Sequence, residues 1–284
     1  CLPCGIRGGS VVQCPMTVVP CSIGRKGDTK YMRTLTTFFL ICMLAALHSK
    51  IFSDDIIPVD VFSDSINHYR HEIDGTDYAR YEPDRILEIA GNILLYQREN
   101  GGWPKNWDPL RILSSDETVS VSLQKKLEDT TFDNRSTYTQ IAYLAEVFHR
   151  TGNPVYRDAA LKGIDFILKA QYENGGWPQF WPDVSGYHSQ ITLNDDVLTG
   201  LLFFLRETQA NTKVYGFLSE EMNNAIRNAL RNAERLILRL QIVVNGKRTV
   251  WAGQYDHESL EPATARAYEL PCLISAESVN VVRY

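Results

Sequence analysis

The sequence predicts an all-α fold built from repeated pairs of helices. Asn-Gly-Gly-Trp-Pro occurs at Asn100–Pro104 and again at Asn174–Pro178, and a degraded copy runs through Leu240–Gln254. The glutamine that precedes each copy recurs after 74 and then 70 residues, at Gln97, Gln171 and Gln241. Helical patterns flank each copy. A period of this size indicates one repeated supersecondary unit, each copy too small to bury its apolar face alone.

A helix is predicted before each of the three loops. The first follows Pro83, because Ile86 and Ile93 belong to one apolar helical face. The second starts at Asn153-Pro154, and the third carries a regular apolar stripe through Ile226–Leu240. We expect the Asn-Gly or Gly-Gly step to end each helix in a left-handed cap.

A second helix is predicted after each loop. Thr137–Arg150 is strongly helical and is stopped by Gly152, while Asp196–Thr208 is apolar almost all round and should be buried on most sides. The third begins near Ala276 and is cut short at Tyr284. Each repeat is therefore an outer helix, a Trp-bearing loop and an inner helix. Such pairs form an (α/α) toroid when they close into a ring and a solenoid when they stack in a line.

The chain divides into four predicted regions. Residues 1–31 are interpreted as a translated leader, residues 49–65 as a linker, and residues 66–284 as the helical domain, incomplete because the chain ends early. Residues 32–48 resemble a secretory signal, since Met32-Arg33 precedes the apolar stretch from Leu35 to His48. That stretch is shorter than the ~20 residues a membrane span needs. We therefore expect a secreted or periplasmic protein without a stable membrane span.

Charge and cysteine content exclude two classes of protein. The chain has 29 Lys and Arg against 34 Asp and Glu, a net charge of -5, which argues against a general nucleic-acid binder. Four of the six cysteines lie within residues 1–31, at a spacing that matches no common zinc module. Only Cys272 lies in residues 66–284, which excludes a disulfide framework there.

Polar clusters recur where each inner helix begins. They are Thr131–Asn134, Thr192–Asp196 and Thr264–Glu269, and parallel inner helices would bring all three to one mouth. Asp and Asn are common N-caps, so capping is one interpretation. However, these clusters hold more carboxylates than a cap uses, and converging carboxylates form the oxygen-rich site that calcium prefers. Binding of a cation or substrate is the favoured interpretation.

All five tryptophans lie in the three loops. Trp103 and Trp177 occupy equivalent positions and are predicted to fill the junctions between repeats. For Trp107 and Trp181, packing and stacking on sugar rings both remain open.

From Tyr78 to Tyr284 the sequence resembles the family 10 pectate lyases. The resemblance rests on NGGWPKNWD, TFDN, AQYENGGWPQFWP, GYH, ITLNDD and ARAYELP, followed by AESVNVVRY, in this order. It implies an (α/α) toroid, and a calcium-assisted β-elimination of polygalacturonate in which the proton on C5 of the uronate is removed. It also implies further helices after Tyr284.

The resemblance implies a role for each site residue. Asp133 and Asp195 would hold Ca²⁺, and Asp133 and Arg266 would be catalytic, with Arg266 as the base. A guanidinium is ordinarily protonated, so pairing with the substrate remains an alternative for Arg266. The expected substrate-binding residues are Asn134, Asp196, Lys105, Tyr187 and His188.

Two other functions remain open from the residues alone. An inverting glycosidase would use Asp133 and Asp195 as acid and base, about 6.5–9.5 Å apart. A carbohydrate-binding helical-repeat protein without catalysis would retain only the binding surface. For the lyase we expect a monomer whose partner is polygalacturonate.

Overall fold

The computed structural model describes residues 56–284, and this part of the chain is built from helices joined by long loops. The predictions of a leader at 1–31, a signal-like segment at 32–48 and the first part of the linker concern residues outside that range. Within residues 56–284, no helix is long and apolar enough to cross a membrane.

The all-α prediction is confirmed. The helices are α1 (Ser63–Glu72), α2 (Ile86–Tyr96), α3 (Ser115–Ser122), α4 (Tyr138–Thr151), α5 (Pro154–Ala170), α6 (Val197–Ala210), α7 (Thr212–Tyr215), α8 (Glu220–Leu240) and α9 (Ala276–Arg283). The strands are β1 (Ile191–Thr192), β2 (Val243–Val244), β3 (Lys247–Arg248), β4 (Trp251–Ala252), β5 (Gln254–Tyr255) and β6 (Leu273–Ile274). They pair antiparallel as β1 with β5, β2 with β3 and β4 with β6, and serve to tie loops together.

The helical domain begins earlier than residue 66. The compact unit starts at Ile56, and Phe62 is 1% exposed just before α1. The Phe62 ring packs against Tyr143 of α4, with ring centroids 5.6 Å apart. The prediction of a linker is therefore wrong for residues 56–65. This short segment lacks a long periodic pattern, and its burial depends on a residue about 80 positions away in sequence.

The three predicted repeats are present as outer helices α2, α5 and α8 and inner helices α4, α6 and α9. Gly152 ends α4 with a φ of 67°, as predicted. Asn153 caps α5, because its side chain accepts a hydrogen bond from the backbone N–H of Val155 at 3.2 Å. Each repeat therefore has the predicted order of outer helix, loop and inner helix.

The glycines of the loops do not cap the outer helices. Those helices end instead at glutamines in extended conformation, with ψ of 127° at Gln97, 129° at Gln171 and 122° at Gln241. Gly101 and Gly175 have φ of +105° and +99° and lie against the next outer helix. A Cβ on Gly175 would lie 2.5 Å from the carbonyl of Asn232, so glycine is required for close approach as well as for its φ.

The first two of these glutamines hold successive repeats together. Gln97 donates from Nε2 to the carbonyl oxygens of Gly101 and Ala159, both at 2.9 Å. Gln171 does the same with Gly175 at 2.9 Å and Ala229 at 3.0 Å. In both repeats one amide thus connects its own loop to the next outer helix.

The tryptophans at the repeat junctions are packed as predicted. Trp103 and Trp177 have no exposed surface, and their indole N–H groups donate to the carbonyl oxygens of Ile93 at 2.7 Å and Ile167 at 2.8 Å. Trp251 makes the equivalent bond to Ile237 at 2.8 Å.

The other two tryptophans also pack against aromatic rings. Trp107 is 3% exposed and stacks on Tyr96 at 4.0 Å between ring centroids, so it packs in the core and presents no face for a sugar. Trp181 is half-buried with its ring edge-on to Phe166 at 5.2 Å.

The inner helices α4 and α6 line a cavity of about 930 Å³ at the centre of the toroid. Tyr138 and Tyr143 contribute from α4, and Phe203 and Phe204 contribute from α6. Phe203 is 41% exposed, so α6 is less completely buried than its apolar sequence predicts.

Candidate active site

The first two polar clusters have the same unusual backbone. Asn134 and Arg135 have φ of 50° and 61°, and the equivalent Asp195 and Asp196 have φ of 54° and 57°. Non-glycine residues in this region cost about 1–3 kcal/mol unless the surroundings stabilise them, and such outliers concentrate at functional sites. No side chain of these clusters caps α4 or α6 in the described structure, so the capping interpretation is wrong for both.

The Asp133 carboxylate is buried and has a protein donor on each oxygen. The residue is 2% exposed, Oδ1 accepts a hydrogen bond from Gln179 Nε2 at 3.0 Å, and Oδ2 is in contact with Lys105 Nζ. Its own backbone N–H donates to Thr131 Oγ1 at 3.0 Å. The position of the Asp133 side chain is therefore fixed by its neighbours.

Lys105 and Gln179 are equivalent residues of successive repeats, following the Trp-Pro of each loop. Gln179 is 2% exposed, and its carbonyl oxygen accepts hydrogen bonds from Phe132 N at 3.0 Å and Thr131 Oγ1 at 2.7 Å. The second loop therefore wraps the first polar cluster. The sequence analysis missed Gln179, although alignment of the two motifs shows that it is the residue equivalent to Lys105.

Asp195 lies beside Asp133, within hydrogen-bonding reach of its carboxylate. Partial burial of the carboxyl group and the charge of Asp133 together raise the pKa of Asp195 to about 6. The residue as a whole is exposed, so Asp195 faces the cleft while Asp133 forms its floor. Asp64 of α1, which the sequence did not suggest, adds to the negative charge around Asp195.

The third polar cluster is joined to the second repeat. Gln190 donates from Nε2 to the carbonyl oxygen of Thr264 at 2.9 Å. Arg266 is exposed, and its guanidinium donates to Tyr268 OH at 2.8 Å and lies 3.5 Å from the Glu269 carboxylate. Hydrogen bonds with Tyr268 and Tyr187 raise the pKa of Arg266, which favours the charged form.

His188 is within electrostatic range of Asp133, Lys105 and Arg266. Its ring stacks on Phe180 at 4.3 Å between centroids, and Lys105 Nζ lies 5.2 Å from the centroid of the same Phe180 ring. Burial lowers the pKa of His188, which is also influenced by the charges of Asp133, Lys105 and Arg266. The first two polar clusters therefore lie together, and the loop of the third is joined to the second repeat through Gln190 and Thr264.

Two predicted substrate-binding residues have partners of their own. Asn134 is 5% exposed and donates to Asn106 Oδ1 at 2.7 Å. Asp196 accepts hydrogen bonds from Arg135 at 2.9 Å and from Asn280 at 2.6 Å, and it lines the central cavity. These contacts connect the site to the inner helices.

The carboxylate pair fits a divalent cation that has further ligands from elsewhere. Burial and the charge of Asp133 both disfavour the ionised form of Asp195 and raise its pKa, and a cation beside the two carboxylates would favour that form. The buried Gln179 Oε1 has no hydrogen-bond partner among the described residues. Within residues 56–284, no three His, Cys, Asp or Glu side chains form a metal-binding group. Most of the 6–8 oxygens around a calcium ion would therefore come from other groups.

Residues 97–284 match the family model for pectic acid lyase. A family 10 polysaccharide lyase from Cellvibrio cellulosa has a similar structure, with a TM-score of 0.64 and 31% identity, over 80% of this chain and 65% of that chain. An aspartate-to-alanine mutant of a family 10 polysaccharide lyase from Cellvibrio cellulosa, in complex with trigalacturonic acid, matches with a TM-score of 0.64 and 30% identity, over 80% and 66% of the chains. The chain thus spans just under two thirds of the length of these structures. No curated protein matches it.

Proposed function

The chain belongs to the pectic acid lyase family, and on this basis we propose that it cleaves polygalacturonate by calcium-assisted β-elimination. The observation that carries the proposal is the pairing of Asp133 and Asp195 at the mouth where the Arg266 loop also lies. We also propose that the protein is secreted or periplasmic, because residues 32–48 resemble a secretory signal.

The chemistry requires positive charge beside the uronate. The C5 proton is weakly acidic, and its removal leaves an enolate-like anion on the neighbouring carboxylate. When bound, calcium would withdraw charge from that carboxylate and so favour proton loss. Asp133 and Asp195 would hold the cation, while the uronate carboxylate would complete its coordination shell.

Arg266 is assigned first to the substrate's negative charge. Its guanidinium can pair with a uronate carboxylate in a planar, two-pronged geometry. The resemblance implies that Arg266 also accepts the C5 proton. That role requires the neutral form, which the hydrogen bonds with Tyr268 and Tyr187 disfavour, so the substrate would first have to replace these contacts. Lys105, Tyr187 and His188 surround the same space and complete the proposed binding surface.

The arrangement argues against an inverting glycosidase. Inversion needs room for a water molecule between two carboxyl groups about 6.5–9.5 Å apart. Asp133 and Asp195 instead lie within hydrogen-bonding reach of each other.

The product of the reaction tests the proposal. Incubation with polygalacturonate and calcium should release unsaturated uronides that absorb in the near ultraviolet, and a chelator should abolish this signal. Asp133→Asn should reduce it strongly, because the floor of the cation site loses its charge. New reducing ends without ultraviolet absorbance would indicate hydrolysis. Binding without turnover, unaffected by the chelator, would indicate a carbohydrate-binding protein.

A further inference from the structure

We propose that Lys105 occupies the cation site in the metal-free protein and moves to the uronate carboxylate when a cation binds. The cation and the acidic sugar would then each strengthen the binding of the other. This inference rests on the proposed function, because it concerns the same site.

The first step is that Lys105 competes with a cation for Asp133. The Lys105 ammonium contacts Oδ2, and Gln179 occupies Oδ1. A divalent cation on this carboxylate would lie within a few ångströms of the ammonium, at a residue that is only 2% exposed. Like charges at such a distance repel strongly where solvent screening is weak. A cation can therefore bind Asp133 well only if Lys105 leaves.

The second step is that Lys105, and not Gln179, is free to move. The backbone of Gln179 is bonded on both sides, since its N–H donates to His188 O at 2.9 Å and its carbonyl accepts from Phe132 N at 3.0 Å. The Lys105 side chain is 31% exposed and has a flexible stem. Its ammonium also lies 5.2 Å from the centroid of the Phe180 ring, and its charge acts on Asp195 and His188.

The third step is that the structure offers the displaced ammonium a second position. The Phe180 ring, stacked on His188, borders the cleft next to Lys105. An ammonium at an aromatic face retains part of its stabilisation and can reach a carboxylate bound in the cleft. A uronate provides that carboxylate, whereas a neutral sugar does not. Lys105 would therefore favour acidic sugars specifically.

Comparison of the repeats supports a special role for this lysine. The position held by Lys105 is Gln179 in the second repeat and Gly253 in the third, where Leu193 N donates to Gly253 O at 2.8 Å just as Phe132 N donates to Gln179 O. A structural contact at this position therefore needs no charge. The first repeat nevertheless has a charged residue at this position, and that residue contacts Asp133.

Calorimetric titration of calcium, with and without trigalacturonate, tests the inference. Lys105→Met should bind calcium alone about 5- to 150-fold more tightly than the unaltered protein, the usual range of coupling between sites. The same variant should bind trigalacturonate more weakly in the presence of calcium. Lys105→Arg keeps the charge and should retain the competition. Lys169→Met is the control for loss of one positive charge, because Lys169 pairs with Asp165 on α5.

The two directions of change make the outcomes distinct. If Lys105→Met binds calcium no more tightly than the unaltered protein, the inference is wrong, whatever the reaction catalysed. Failure of both proteins to bind calcium, even with trigalacturonate, would refute the inference and the proposed function together. The expected binding pattern without unsaturated products would refute only the proposed reaction.

Discussion

At the scale of single residues, Asp133 and Asp195 differ in what their surroundings do to their charge. Asp133 is buried but has Lys105 and Gln179 as partners. Asp195 faces the cleft beside a second negative charge, and its pKa rises to about 6. A carboxyl group that ionises less readily in the folded protein than in the unfolded chain destabilises the fold once it is ionised.

This contrast predicts the effect of Asp195→Asn on the metal-free protein. The folded pKa of about 6 lies above the ordinary value, so Asp195 favours folding at low pH, and this contribution is lost as the pH rises through 6. The variant should therefore be more stable than the unaltered protein at pH 8, by up to about 1 kcal/mol, since solvent screens this exposed residue. The difference should vanish near pH 4. Urea denaturation at both values measures it.

Asp183→Asn is the control for this prediction. A hydrogen bond from the backbone N–H of Ser185 lowers the pKa of Asp183, so its removal should destabilise the protein at pH 8. An Asp195→Asn variant that is no more stable than the unaltered protein at pH 8 would contradict the unfavourable ionisation of Asp195.

The role of Arg266 predicts a specific pH profile for Arg266→Lys. If Arg266 only pairs with negative charge, a lysine retains part of the activity and leaves the pH at which kcat rises unchanged. If Arg266 accepts the proton, kcat should rise at a lower pH in the lysine variant, because the ordinary pKa is about 10.4 for lysine and above 12 for arginine. Since Tyr268 and Tyr187 favour the charged guanidinium, we expect the pH at which kcat rises to stay the same. If Arg266 only pairs with charge, Arg266→Ala should lower kcat/KM by about 10- to 150-fold, the loss of a charge-assisted hydrogen bond. A fall in kcat of about 10²–10⁴-fold would instead indicate a proton acceptor.

Much of the site could be predicted from residue type and order. Asp133, Asp195 and Arg266 each lie in a polar cluster before an inner helix, and parallel inner helices bring such clusters together. Gln179 could not be identified in this way, because an amide in a loop carries no chemical signal until it is seen to hold Asp133. Substrate binding by Asn134 and Asp196 stays a prediction, and in the structure their side chains bond to Asn106, Arg135 and Asn280.

At the scale of elements, the helix boundaries followed from local signals, and the loop glycines did not. Gly152 and Asn153-Pro154 act within a few residues of their own position. The sequence therefore locates the end of α4 and the start of α5 closely. Gly101 and Gly175 resemble helix caps in sequence, but they are needed for contact with a helix about 60 residues further on. Such a contact leaves no local pattern.

The two kinds of glycine predict different costs of substitution. Gly175→Ala places a Cβ against the carbonyl of Asn232 at a φ of +99°, so both strain and a backbone clash oppose it. Gly152→Ala also has a positive φ of 67°, but no atom lies within 4 Å of the added Cβ. We expect about 1–2 kcal/mol for Gly152→Ala and about 3 kcal/mol or more for Gly175→Ala, measured as loss in the free energy of unfolding. Equal costs would show that the junction between loop and helix yields easily.

At the scale of the whole molecule, the repeat period predicts stacked helix pairs, and the family resemblance implies that they form a toroid. Contacts distant in sequence determine where the helical domain begins. Three copies of one motif are enough to predict stacked helix pairs with one shared mouth. The N-terminal segment from Ile56 is outside the repeats, yet Ile57 and Phe62 belong to the core. Its position depends on inner helix α4, which the sequence of the segment does not reveal.

The shared mouth predicts how ligands stabilise the molecule as a whole. A ligand that binds only the folded state stabilises it, by about 2.7 kcal/mol at a hundred times its Kd, and so raises the melting temperature. Asp133 and Asp195 provide only part of a calcium shell, and Lys105 opposes the ion, so calcium alone should raise the Tm little. Trigalacturonate alone brings its carboxylates to a mouth that already holds the charges of Asp133 and Asp195.

Together, calcium and trigalacturonate should raise the Tm by more than the sum of the separate shifts, because each supplies the charge that the other lacks. Differential scanning calorimetry at fixed ionic strength measures this, with magnesium as the control, since it demands a smaller octahedral shell and keeps its waters. Additive shifts, or equal shifts with magnesium, would contradict a shared calcium and uronate site.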